Sequence, residues 1–141
     1  MIAQVFVYGT LKRGQERERC WPRTPQRIEA AEIRGELYDL GPYPAVVHGA
    51  DRVLGELWFL KPADVEATLR TLDEVECFGV EDVDLYVRET VECRTLADGL
   101  IQLAYVYFLA DPEHARSHRR VPARDDGFVE WNAEPNASAA S

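Results

Sequence analysis

Two features of this chain can do chemistry. The first is Tyr8-Gly9-Thr10-Leu11, where a run of β-forming residues breaks at a glycine. A strand ending this way exposes backbone N–H groups where the missing side chain lets another group approach, and such groups can hold an anion or an oxyanion. The second is Glu76, at the predicted C-terminus of a helix. There the negative end of the helix dipole disfavours a carboxylate and raises its pKa. Asp73, three residues earlier on roughly the same face, pushes the same way. A carboxylate so placed can take up and return a proton near neutral pH. Each feature also has a plainer reading. Gly9 alone is a tight turn with Tyr8 as a core aromatic, and Glu74, Glu76, Glu81, Asp82 and Asp84 form an acidic run of the kind that usually marks a solvated face.

Other chemistries find little support. A phosphate-loop pattern is absent, and Gly9 and Gly14 share only its glycine spacing. His48, His114 and His118 stand isolated, with no nucleophile-base-acid order and no H-E-x-x-H. Cys20, Cys77 and Cys93 are odd in number and too widely spaced for a zinc pattern, so no metal is expected and they read as reduced thiols of a cytoplasmic protein. Cys77 has no basic partner nearby in sequence, which argues against a nucleophile. The formal charge of -9 speaks against a nucleic-acid surface. The basic residues Arg116, His118, Arg119, Arg120 and Arg124, interrupted by Pro122 and followed by Asp125-Asp126, read as a solvated tail segment. No apolar run approaches the roughly 20 residues that span a bilayer, so no membrane partner is expected. Met1 leads into Ile2-Ala3-Gln4 without a basic start or cleavage site, so residue 1 is expected to begin the fold.

The elements that must position Gly9 and Glu76 follow from periodicity. A length of 141 residues suits one domain, expected over 1–131, with 132–141 small, polar and frayed. The first eight residues predict a strand that delivers Tyr8 to a loop, and Leu11 to Trp21 predicts a loop with at most one helical turn. Arg34 to Leu40 predicts a strand closed by Gly41-Pro42-Tyr43-Pro44, after which Ala45 to Val47 resumes extended structure and Arg52 to Leu60 predicts another strand. In Pro62 to Glu76 the apolar residues Val65, Leu69, Leu72 and Val75 recur at helical spacing behind a proline in the first turn. Leu85 to Leu96 and Leu100 to Leu109 predict a hairpin turning at Ala97-Asp98-Gly99. Phe128 and Trp131 can dock back on the domain. Several antiparallel strands with one good helix indicate an α+β domain whose sheet curls toward a barrel.

Taken together, these residues resemble the γ-glutamylcyclotransferase-like family, of the AIG2-like type. The resemblance rests on Val5-Phe6-Val7-Tyr8-Gly9-Thr10-Leu11-Lys12-Arg13-Gly14, Gly35-Glu36-Leu37-Tyr38-Asp39-Leu40-Gly41 with Tyr43-Pro44-Ala45, Val53-Leu54-Gly55-Glu56-Leu57, and Leu72-Asp73-x-x-Glu76 ahead of Tyr86-x-Arg88. These landmarks stand in the family's order over about residues 4 to 109, although Cys77 stands where a glycine usually follows the glutamate. The resemblance implies a small curled, mixed sheet with one main covering helix. It implies cyclisation of a γ-glutamyl amide to 5-oxoproline with release of an amine or amino acid, with no cofactor and a small-molecule γ-glutamyl amine or amino acid as substrate. It gives Glu76 the acid/base role, and Tyr8, Gly9, Thr10 and Leu11 the substrate cradle. Tyr105 and Tyr107 alternate to one face of their strand; Tyr105 is the candidate to reach substrate, with core packing the alternative. A non-catalytic ligand-binding or regulatory module and a γ-glutamyl hydrolase or transferase are the rival functions. A monomer or weak homodimer is expected.

Overall fold

The computed structural model describes residues 2–77 and 86–132, and of 75–77 the backbone alone. Its seven strands are β1 Gln4–Val7, β2 Arg27–Asp39, β3 Pro44–Phe59, β4 Tyr86–Thr95, β5 Ile101–Leu109, β6 Arg119–Arg120 and β7 Phe128–Val129. They form one sheet in the order β6-β2-β4-β5-β1-β3-β7, and an additional β2–β3 pairing closes β2, β4, β5, β1 and β3 into a five-stranded barrel. The pairings are antiparallel except β1–β5 and β3–β7, so the sheet is mixed. This is the α+β, barrel-like fold with one main helix that the sequence predicts.

The period-2 alternation of the strands divides the core in two. Phe6, Ala31, Ile33, Leu57, Cys93, Ala104, Val106 and Phe108 belong to one cluster, while Val5, Val7, Trp58, Tyr107 and Leu109 pack with Val65, Leu69 and Leu72 of the helix α1, Val65–Cys77. A helix covers the outside of a barrel, so the first set fills the interior and the second seals the helix against the wall. The helix begins one turn later than its pattern suggests, because Pro62–Asp64 forms a separate 3₁₀ turn in front of it. A short helix, α2 Pro112–Arg116, follows β5, with Asp111 accepting a hydrogen bond from the Glu113 amide as its cap.

Local signals found the hairpin well. Gly99 takes φ +70 between β4 and β5, as the sequence Asp-Gly leads one to expect. They undercounted length elsewhere. β2 starts at Arg27, well before Arg34, and the two segments around Ala45–Val47 and Arg52–Leu60 are one 16-residue strand. A register shift at Gly35/Glu36 leaves His48, Gly49 and Ala50 without partners in its ladder. The basic segment near residue 120 is exposed, as expected, but it is a strand rather than a tail. Arg119–Arg120 pairs with Tyr38 and Asp39, and Arg120 bridges to Asp51 at 2.7 Å. No helix among the described residues is long and apolar enough to cross a membrane. The segment from 78 to 85 and the expected tail beyond 132 lie outside the described residues.

Candidate active site

β1 ends at Val7, and the chain turns sharply with the Lys12 amide donating to the Gly9 carbonyl at 3.1 Å. The Thr10 carbonyl accepts from the Arg17 amide at 2.7 Å, and the Leu11 carbonyl from Trp21 Nε1 at 2.9 Å. Three successive carbonyls are thus taken up by the protein. The amides of Gly9, Thr10 and Leu11 have no acceptor among the described residues. All three residues are buried. A buried N–H without a partner costs about 1–3 kcal/mol, so a turn that keeps several of them is suited to receive an anion.

The glycine at the head of this turn is required by packing rather than by φ. A Cβ at Gly9 would stand 2.6 and 2.7 Å from Cγ and Cδ of Pro44. Pro44 is itself held, because Tyr86 donates its hydroxyl to the Pro44 carbonyl at 2.8 Å. Tyr8 faces the barrel interior beside Phe6, and its hydroxyl donates to the Tyr107 carbonyl at 2.6 Å while accepting from the Val46 amide at 3.3 Å. Tyr8 therefore bolts β1 to β5 and β3 and sets where the turn begins. Thr10 is 8% exposed and Leu11 packs into the cluster beneath the helix.

The other end of the site is the last part of α1. Asp73 accepts from the Tyr107 hydroxyl at 2.6 Å and pairs with Arg88 Nη1 at 3.2 Å. Since the Tyr107 carbonyl also receives the Tyr8 hydroxyl, two hydrogen bonds about one residue of β5 connect the end of the helix to the end of β1. The sequence places Asp73 beside Glu76 as a like charge, and the structure adds Arg88 as a counter-charge to Asp73. The helix runs through Glu76 to Cys77, and the Glu76 side chain lies outside those described. Tyr105 is half-buried against the helix-side cluster, with the Arg88 guanidinium 5.3 Å from its ring centre.

Sequence reasoning gave Lys12 no role at this site, and it expected Trp131 to dock on the domain without saying where. Lys12 is 5% exposed and donates Nζ to the Trp131 carbonyl at 2.8 Å, with Glu130 3.8 Å away. Burial lowers its pKa, and Glu130 and Glu56 act in the opposite sense. Trp131, in turn, approaches Gly9 and donates Nε1 to Asp39 at 3.4 Å, so the segment after β7 closes over the turn. Tyr107 was named together with Tyr105 as a residue of the same strand face. Nothing local distinguishes them, because they share a face.

The residues 5–132 match the model of a family described as gamma-glutamyl cyclotransferase, AIG2-like. A Vibrio cholerae protein assigned as a gamma-glutamylcyclotransferase is 40% identical over 90 residues, spanning 62% of this chain and 70% of that one. A Niallia circulans protein named gamma-L-glutamyl-butirosin B gamma-glutamyl cyclotransferase is 32% identical over 109 residues, 75% of this chain and 66% of its own length. The crystal structure of an AIG2-like protein from Mus musculus superposes with a TM-score of 0.64 at 24% identity, over 94% of this chain and 97% of that one. That last likeness is one of fold.

Proposed function

The chain belongs to the AIG2-like gamma-glutamyl cyclotransferase family, and from that premise we propose that it cyclises a γ-glutamyl amide to 5-oxoproline with release of an amine. The observation that carries this reading is the turn at Gly9, Thr10 and Leu11, whose carbonyls are taken up by the protein and whose buried amides have no acceptor among the described residues. Such amides fit the α-carboxylate of a γ-glutamyl group or the oxyanion formed when its γ-carbonyl is attacked.

In the proposed reaction the substrate's α-amine attacks its own γ-carbonyl. The new C–N bond closes the five-membered lactam and the bond to the departing nitrogen breaks. The attacking amine gives up a proton and the departing nitrogen gains one, so one acid/base group serves both steps, and we assign Glu76 to it. Its place at the negative end of α1 supports that role, since the dipole there favours the protonated form. The intramolecular geometry lets the enzyme act by holding the bent conformer, an arrangement that reaches effective molarities of about 10⁵ M or more. The Asp73–Tyr107–Tyr8 connection supports a common site, because it ties the end of the helix to the turn. For the departing group we propose a cationic amine, because the chain carries a net charge of -9.

The test is 5-oxoproline release from a panel of γ-glutamyl amides by the intact chain. Release that falls at least about 10²-fold in kcat for a well-folded Glu76→Gln protein supports the assignment. Free glutamate or a new amide in place of the lactam would mean hydrolysis or transfer. Ligand-induced thermal stabilisation without any product would mean a binding module.

A further inference from the structure

A cavity of about 390 Å³ opens in the barrel wall where β2 and β4 separate. The two strands pair at Ala31↔Thr95 and Glu32↔Arg94, and the ladder stops there. Three guanidiniums line the opening, those of Arg34, Arg52 and Arg94, together with the carboxylates of Glu32 and Glu92. The cavity thus holds one more positive than negative charge in a chain whose net charge is -9. Arg34 and Arg52 stand directly opposite each other in the β2–β3 register, where like charges repel.

Each guanidinium is held by a contact that leaves N–H groups over. Glu32 accepts from Arg52 Nε and Nη2 at 2.8 and 3.0 Å and from Arg94 Nη1 at 2.7 Å. Those hydrogen bonds keep its carboxyl at about 2, so it is ionised and its charge is already engaged. Arg52 also lies over the Phe128 ring, 4.2 Å from the centroid. Arg34 donates Nη1 to the Ala50 carbonyl at 3.1 Å, and no carboxylate among the described residues pairs with it. A guanidinium offers five N–H donors in a rigid fork, so all three retain donors whose directions are fixed before any ligand arrives.

We propose that this cavity binds a small oxyanion, a phosphate or carboxylate group, at a site separate from the Gly9 turn and the end of α1. The anion supplies the negative charge that Arg34 lacks and bridges β2 to β4 beyond the end of their ladder. Its volume lies at the small end of ligand sites.

Calorimetric titration of the intact chain with inorganic phosphate and, separately, with acetate tests this, with ionic strength held constant by chloride. Saturable binding of one of the two is expected, and the one that binds tells phosphoryl from carboxylate chemistry. Arg34→Gln should weaken it about tenfold or more, the value of one charge-assisted hydrogen bond. The same variant should melt no lower than the parent in the absence of anion, because it relieves the repulsion with Arg52. No saturable binding of either anion, or equal affinity in Arg34→Gln, overturns the proposal. Binding that 5-oxoproline displaces and that Arg34→Gln leaves intact also overturns it, since the anion would then sit at the Gly9 turn.

Discussion

Replacing Gly9 with alanine adds one methyl group at the most constrained point of the turn. Ordinary contact begins at 3.4 Å and the new Cβ would have 2.6 Å, so the neighbours must yield by about 0.8 Å. The neighbour is the Pro44 ring, whose residue is paired with Asp39 in the sheet and tied through its carbonyl to Tyr86. Neither restraint gives cheaply. Overpacking of this kind costs about 1–3 kcal/mol, and the loss of unfolded-state freedom returns about 0.4–1 kcal/mol, so a net destabilisation of about 1–2 kcal/mol is expected. Urea unfolding would show it as a midpoint lowered by about 0.5–1 M at an m-value near 2 kcal/mol/M. The turn carries the proposed anion-binding amides, so its displacement should also reduce kcat/KM for 5-oxoproline release by about 10²-fold. Pro44→Ala removes the Cγ and Cδ that clash, and in that background Gly9→Ala should cost at least about 1 kcal/mol less. An unchanged midpoint in Gly9→Ala, or the same penalty with and without Pro44, would refute the packing argument.

The remaining expectations follow from the same geometry. Thr10→Ala should keep activity within about threefold, since the turn acts through backbone donors rather than the hydroxyl; a loss as large as that of Gly9→Ala would assign the hydroxyl to the substrate. Lys12→Met leaves the Trp131 carbonyl without its donor and should cost about 1–3 kcal/mol, with faster amide exchange over Phe128–Val129 and Trp131 than elsewhere; uniform exchange would remove the clasp role. The folded pKa of Glu32, about 2, lies below its ordinary 4.5, so its contribution is complete above about pH 4.5 and fades as pH falls toward 2. Glu32→Gln should therefore cost about 2 kcal/mol at pH 7, allowing for partly exposed guanidiniums, and almost nothing near pH 2. A pH-independent difference would mean that packing rather than charge holds that triad.

The turn and the helix were legible because their signals are local. A glycine after a β-forming run, apolar residues at helical spacing from Val65 to Leu72, and Asp98-Gly99 between two alternating segments each follow from neighbours a few residues away. The family motif added the pairing of Gly9 with Glu76, which neither segment expresses alone. In the structure Tyr8 and Asp73 both hydrogen-bond to Tyr107, Tyr8 at its carbonyl and Asp73 at its hydroxyl.

What local pattern could not reveal depends on partners far away in sequence. Asp73 looks like an uncompensated acid until β5 and β4 deliver Tyr107 and Arg88, and the hydrogen bond to Tyr107 spans 34 residues. Lys12 looks like a solvated base, yet a carbonyl 119 residues later accepts its ammonium in a buried position. β2 extends back to Arg27 because β3 offers it a ladder from Pro44 to Phe59, and β6 is a strand because Tyr38 and Asp39 present a free edge. The sequence by itself determined which segments can be strand, turn or helix, since those preferences arise from each residue's own sterics and its near neighbours. Which charges are neutralised, which strands pair and which amides remain without an acceptor was decided by the closure of the barrel, because only that brings the distant partners within hydrogen-bonding reach.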